Sequence, residues 1–288
     1  MNQSSIPTAP PFDAYPPPQI AARVCQVGLA KVTVPVPTMI ALALLAGAFI
    51  SLGALFFTVT ITAGRDVAAA PFGLTRLAGG MAFSLGLVLV VVGGAELFTG
   101  NNLIAMAWAV GCVRTSQVVR NWLWVYLGNF LGALGTAALV WLAGVHTLGD
   151  GAVGETMIRI ARGKIALDPV SAVARGILCN VLVCLAVWLC MGARGVADKI
   201  LAILFPISAF VACGFEHSVA NMYFLPIGMA LTASSAAPIS LADAAGNLFF
   251  VTLGNLLGGT VLVALVYWFI YLRGERQEAI GKRNGVRG

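Results

Sequence analysis

Six apolar stretches run through this chain, at about residues 37–61, 77–109, 122–145, 170–191, 199–231 and 246–272. A membrane-crossing helix needs about 20 apolar residues, and each stretch meets that length. Four have the length of one tilted span. The second and fifth are longer, at about 33 residues each. A straight helix of that length would overshoot the hydrocarbon core by about 20 Å. Both are punctuated, the second by Gly86, Gly93, Gly94 and Gly100, the fifth by Pro206, Gly214, Pro226 and Gly228. Broken helices account for both features. The chain therefore reads as an all-α polytopic membrane protein with six transmembrane helices, the second and fifth broken. Composition agrees: 59% of residues are hydrophobic and 10% charged, against about 25% charged in a soluble domain. Six spans within 288 residues leave no room for a soluble catalytic domain.

The flanks complete the organisation. Residues 1–19 are rich in Pro, Ser and Gln, lack the pattern of a signal peptide, and read as a disordered tail. Residues 20–34 suit an amphipathic helix on the membrane surface, with Arg23 and Lys31 on its polar side. Residues 35–272 form the membrane domain and 273–288 a basic tail. Eleven Lys and Arg fall on the side of the termini and five on the other, counting Arg175 within a span. That asymmetry places both termini in the cytoplasm, in a cell inner (plasma) membrane. The net charge of +6 thus reports topology rather than nucleic-acid binding.

Two motifs repeat across the halves. Gly94-Ala-Glu96 with Asn101 matches Gly214-Phe-Glu216 with Asn221, at an offset of 120. Leu127-Gly128-Asn129 matches Leu253-Gly254-Asn255, at an offset of 126. The first and fourth stretches match only through Gly47 and Gly176. The halves, about 37–145 and 170–272, hold three spans each. An odd number makes the repeats inverted, an arrangement of transport folds whose sites lie between discontinuous helices.

Ionisable groups within the spans are Glu96, Arg175, Glu216 and His217. Each is costly in hydrocarbon unless paired or hydrated. His217 follows the Gly214 break, and an imidazole there can exchange a proton with a passing solute. A buried histidine satisfied by a backbone carbonyl is the competing reading. Glu96 and Glu216 read as structural, satisfying backbone N–H groups at the breaks or pairing with a cation, with Arg175 a candidate partner for one of them, Glu216 first. Thr99 sits at the matching break. Asn101, Asn129, Asn180, Asn221 and Asn255 bridge helices or line a path. Phe83, Leu87, Leu97, Phe98 and Phe210 surround the breaks, as packing or as dry constrictions. Lys164, in a polar connection, reads on residues alone as a solvated loop lysine.

Other chemistries lack their machinery. There is no GxxxxGK[ST] loop for ATP, and no HExxH or GxSxG for hydrolysis. The six cysteines form no CxxC pair. Neither an enzyme, a metal site nor a cofactor is expected, and a scaffold without transport is the reading from another class.

AELFTGN (95–101), RGILCNVLVCLAVW (175–188), FEHSVANM (215–222) and LGN (253–255) together resemble the formate/nitrite transporter family, over about residues 20–272. The resemblance implies an aquaporin-like fold, a homopentamer with one pore in each protomer, and a small monovalent anion as substrate. Formate comes first, with nitrite, hydrosulfide, acetate or lactate as alternatives, and protons accompany it. By the same resemblance His217 matches the central pore histidine and Thr99 its partner. Lys164 matches a lysine that makes the vestibule electropositive. Asn180 and Asn221 match pore-lining positions, and Phe83, Leu87, Leu97, Phe98 and Phe210 match constriction positions. The segment 20–34 matches a helix linked to gating.

Overall fold

The computed structural model describes residues 13–63 and 71–274. The expectations for residues 1–12, for Arg65 and for the tail from 275 onward lie outside the described residues. Everything regular within them is helical, with no strand. Among the described residues, five helices are long and apolar enough to cross a membrane: Val36–Ile61 (α2), Phe72–Gly93 (α3), Thr115–Leu142 (α5), Pro169–Gly192 (α7) and Leu241–Tyr271. The last comprises α10 (Leu241–Leu256), a π-helical stretch (Leu257–Leu265) and α11 (Val266–Tyr271). Shorter α-helices among the described residues are α1 (Pro17–Thr33), α4 (Ile104–Val110), α6 (Ala152–Ile165), α8 (Val196–Ala212) and α9 (Ser218–Thr232).

The two long apolar stretches are each divided. The first is α3, a linking segment and α4; the second is α8, a linking segment and α9. The divisions fall at Gly94 and Gly214, with φ of +83° and +72°. A left-handed residue costs glycine nothing, and it ends the helix by turning the chain. Pro206 and Pro226 lie inside continuous helices, so glycine makes the break in the fifth stretch.

Packing follows the internal symmetry. Helix α2 packs on α3 and α5, α7 on α8 and α10, and α3 crosses α8. Helix α1 packs on α4 as α6 packs on α9. The first helix starts at Pro17, three residues before the expected boundary. Proline fits the first helical turn, whose N–H groups have no intrahelical partner, so the Pro run extends the helix. Ile20, Val24, Gly28 and Val32 form one buried stripe that docks on α4, so this segment is a packed element of the fold. The polar connection between α5 and α7 contains α6, with Val153, Met157 and Ala161 buried at four-residue spacing.

Small residues set how closely the spans approach. A side chain at Gly132 would overlap the carbonyl oxygen of Leu44, and one at Gly254 that of Val173. The first joins α5 to α2 and the second α10 to α7; at the offset of 126 the counterpart of Gly132 is Gly258, where a side chain would overlap the carbonyl oxygen of Ile177.

Candidate functional site

Each break leaves backbone N–H groups that must find acceptors in a medium without water. The acceptors repeat. Ala95 N–H donates to Val90 O and Phe215 N–H to Phe210 O, at 2.9 and 3.0 Å. Glu96 N–H donates to Leu42 O, and Glu216 N–H to Arg175 O, both at 3.2 Å. Phe98 N–H donates to Asn129 Oδ1 and Ser218 N–H to Asn255 Oδ1, both at 2.9 Å. Asn129 Nδ2 donates in turn to the carbonyls of Ala43 and Glu96, and Asn255 Nδ2 to those of Gly176 and Glu216. Each asparagine thus ties a break to the first helix of its own half. The pairs Leu42–Arg175 and Ala43–Gly176 put the first helices of the halves at an offset of 133, which replaces the expected match of Gly47 with Gly176.

The two glutamates are each held by a lysine. Lys31 Nζ lies 2.8 Å from Glu96 Oε1, and Lys164 Nζ lies 3.0 Å from Glu216 Oε2. Around each pair sits the same set of amides. Asn101 Nδ2 donates to Glu96 Oε2 and Asn121 Oδ1; Asn221 Nδ2 donates to Glu216 Oε2 and Asn247 Oδ1. Asn121 and Asn247 then donate to the backbone oxygens of Lys31 and Lys164. Lys31 and Lys164 are also 133 apart. Each buried carboxylate is therefore paired with a lysine charge and accepts one amide donor, which offsets the cost of burying it.

Two cavities adjoin these clusters. One, of about 310 Å³, is lined by Lys164, Glu216 and His217, by the arginines Arg76, Arg159 and Arg175, and by phenylalanine rings. Phe83 and Phe210 meet edge-to-face at 5.5 Å, Phe57 and Phe224 at 6.1 Å. The other, of about 350 Å³, is lined by Lys31, Glu96 and Asn101 and by Leu87, Leu97 and Val187. The two share no lining residue.

His217 and Thr99 join the breaks. Thr99 Oγ1 lies 2.9 Å from His217 Nε2, and the two residues are 0% and 3% exposed. His217 also caps α9, with Nδ1 accepting from Ala220 N–H at 3.1 Å. An Nδ1 that accepts a backbone N–H carries its lone pair, so the neutral ring holds its proton on Nε2. Nε2–H then donates to Thr99, whose own hydroxyl proton is left to point elsewhere. The Phe210 ring lies nearly parallel to the imidazole, 6.0 Å away.

Not every expected residue reaches this place. Phe83, Phe210 and His217 line the first cavity, Leu87 and Leu97 the second. Phe98 lines neither; its ring packs on Tyr126 at 4.9 Å. Asn180 also lines neither. Its Nδ2 donates to Asn102 Oδ1, to the carbonyl of Thr99 and to that of Asn255 beside the π-helical stretch. Asn221 is spent on Glu216 and Asn247. Arg175 does not pair with Glu216: its Nη1 reaches Gly214 O at 3.4 Å, and Lys164 takes the carboxylate. Lys164 is on helix α6 and its side chain is 13% exposed, so it is neither in a loop nor solvated. Asn121, Asn247 and Arg76 were not singled out, and Lys31 was placed only on a surface helix. Asn121 and Asn247 stand at the offset of 126 already visible in the sequence, which was the available signal.

Known proteins resemble the chain throughout. The profile of the formate/nitrite transporter family matches residues 18–269. The formate channel FocA of Escherichia coli K12 is 40% identical, over 91% of this chain and 96% of its own length. A probable formate transporter of Methanothermobacter thermautotrophicus is 38% identical, over 89% of this chain and 97% of its own. A solved structure described as a pentameric formate channel with formate bound aligns with a TM-score of 0.74 at 38% identity, covering 83% of this chain and 98% of that one. The aquaglyceroporin of Plasmodium falciparum aligns with a TM-score of 0.53 at 12% identity, over 82% and 96% of the two chains. That likeness concerns the fold alone, which is aquaporin-like. With a profile match over nearly its whole length and relatives that are channels and transporters, this integral membrane protein belongs to the formate/nitrite transporter family.

Proposed function

We propose that this chain is a formate channel in which the anion crosses as its neutral acid. The observation that carries the reading is the buried Thr99–His217 pair beside a cation-lined cavity, in a chain whose relatives are named for formate. Those names favour formate over nitrite. The chain catalyses no reaction of its own in this reading.

The physical sequence runs from charge to neutrality. Lys164 and its neighbouring arginines raise the local concentration of a monovalent anion in the wide cavity. Beyond it stand phenylalanine and leucine side chains, where a bare carboxylate would lose its hydration at a cost of several kcal/mol. Loss of water makes the anion a stronger base. His217 offers Nε2–H, and Thr99 its hydroxyl, as hydrogen-bond donors to the carboxylate, while a proton from the bulk solution reaches it along vestibule water. Direct donation from the neutral imidazole would leave an imidazolate, so the proton comes through water. The neutral acid then passes Leu87 and Leu97 and ionises again in the cavity beside Lys31. Export is the same path reversed.

In this account the membrane domain at 35–272 has six spans in two inverted repeats, with the second and fifth broken. The cavity of Lys164 faces outward and both termini face the cytoplasm, as the charge asymmetry supports. The assembly is a homopentamer with one pathway in each protomer, supported by the likeness to the pentameric structure. Uptake into liposomes at several external pH values, with formate, nitrite and chloride offered separately, tests the reading. Formate uptake that rises with acidity while chloride is excluded is the expected result. Equal chloride and formate flux at every pH would overturn it.

A further inference from the structure

The cavity of Lys164 carries more positive charge than one monovalent substrate requires. Its described lining includes four cations, Arg76, Arg159, Lys164 and Arg175, and one carboxylate, Glu216. That carboxylate is already engaged by Lys164 and Asn221. The three guanidinium groups are therefore uncompensated by any described acid of the cavity.

Their geometry is that of an incomplete site. A side chain at Gly214 would come within 3.1 Å of Arg76 Nη2 and 4.0 Å of Arg175 Nη1, so both groups crowd one glycine. Arg76 is fixed there, its Nε and Nη2 donating to the carbonyls of Ala212 and Val211 at the end of α8. Arg175 spends one nitrogen on Gly214 O, and Arg159 one on Thr156 Oγ1. A guanidinium carries five N–H donors, and bonds to described residues use two of those on Arg76, one on Arg175 and one on Arg159. The 310 Å³ of space equals about ten waters at about 30 Å³ each, far more than formate fills.

We propose that Arg76, Arg159 and Arg175 form a separate binding site for a divalent oxyanion at the mouth of the pathway, and that its occupant blocks entry without being transported. Two negative charges and several acceptor oxygens match forked donors better than a monovalent carboxylate does. One proton leaves a divalent anion still charged, so the apolar segment beyond rejects it. The blocking effect rests on the reading of this cavity as the pathway's entrance; the binding does not.

Sulfate is the probe. Formate uptake by the full chain in phosphatidylcholine liposomes is measured at one pH, with external sulfate exchanged for chloride at equal ionic strength. Sulfate is expected to raise the formate KM at least fivefold with the maximal rate retained, and chloride to leave it unchanged. Calorimetry on detergent-purified protein is expected to show one sulfate per chain, weakened at least tenfold in Arg159→Gln/Arg175→Gln. Both side chains are exposed, so these variants leave the buried packing untouched. Arg159→Lys/Arg175→Lys keeps the charge and is expected to recover only part of the affinity. Identical effects of sulfate and chloride, or sulfate binding unaltered in the glutamine or lysine variants, would overturn the site. If formate is not transported at all, the proposed function fails, and calorimetry still decides the site.

Discussion

Thr99 Oγ1 and His217 Nε2 lie 2.9 Å apart although 118 residues of chain separate them. Each belongs to the break of a different repeat, so this one hydrogen bond registers the halves against each other. It also fixes what the imidazole can offer, because Ala220 N–H occupies Nδ1. Thr99→Val keeps the volume but leaves Nε2–H buried without an acceptor. We expect a stability loss of about 1–3 kcal/mol and formate flux lowered at least tenfold, with Thr99→Ser close to the native protein. Thermal unfolding in detergent and liposome uptake measure the two effects.

Each lysine–glutamate pair sets a buried carboxylate against a part-buried lysine, so removing one partner should cost more than removing both. In Lys164→Met the Glu216 side chain, 7% exposed, loses its counter-charge. Breaking a buried pair in this way costs about 3–5 kcal/mol. The double variant Lys164→Met/Glu216→Gln is expected to regain most of that stability, since glutamine still accepts from Asn221. Thermal unfolding of the single and double variants gives the comparison, and equal destabilisation of both would show that the charges do not interact.

Asn129 and Asn255 each accept one backbone N–H from a break and donate to two carbonyls. Leucine at either position preserves size and leaves those groups unpaired in an apolar interior. Each orphaned group costs about 1–3 kcal/mol. Asn129→Leu and Asn255→Leu are both expected to yield protein that unfolds at markedly lower temperature, by similar amounts because the bonding is equivalent.

How much of this was legible beforehand differs by feature. The apolar stretches marked the spans, because a membrane demands length. The Gly94 and Gly214 motifs marked the breaks, because a left-handed turn demands glycine. The offsets of 120 and 126 carried the polar ties of the third and sixth spans. Lys31 was hidden because the first helices share almost no residue identities at the offset of 133. The directions taken by Phe98, Asn180 and Asn221, toward Tyr126, Asn102 and Glu216, were not legible, because residue identity does not say which way a side chain turns within a packed bundle. Arg175 is the one arginine within the apolar stretches and so the visible candidate for a buried carboxylate, whereas Lys164, from an apparently polar connection, reaches Glu216 on a helix.

Close helix approach supplies an independent check. Gly132→Ala and Gly254→Ala place a methyl group against a neighbouring backbone, where no flexible side chain can yield. Both are expected to fail to accumulate as folded protein. Gly135→Ala, on the same helix as Gly132, meets nothing within 4 Å. It should be neutral or stabilising by up to about 1 kcal/mol. Size-exclusion profiles of the three variants separate these outcomes.

The central claim is that formate crosses with a proton. The most direct measurement follows formate and internal pH together in liposomes held at zero membrane potential and containing the native protein. The account predicts one proton moved for each formate, with no net current when a potential is then applied. Formate flux that carries current and leaves internal pH unchanged would mean that the bare anion passes, and would contradict it.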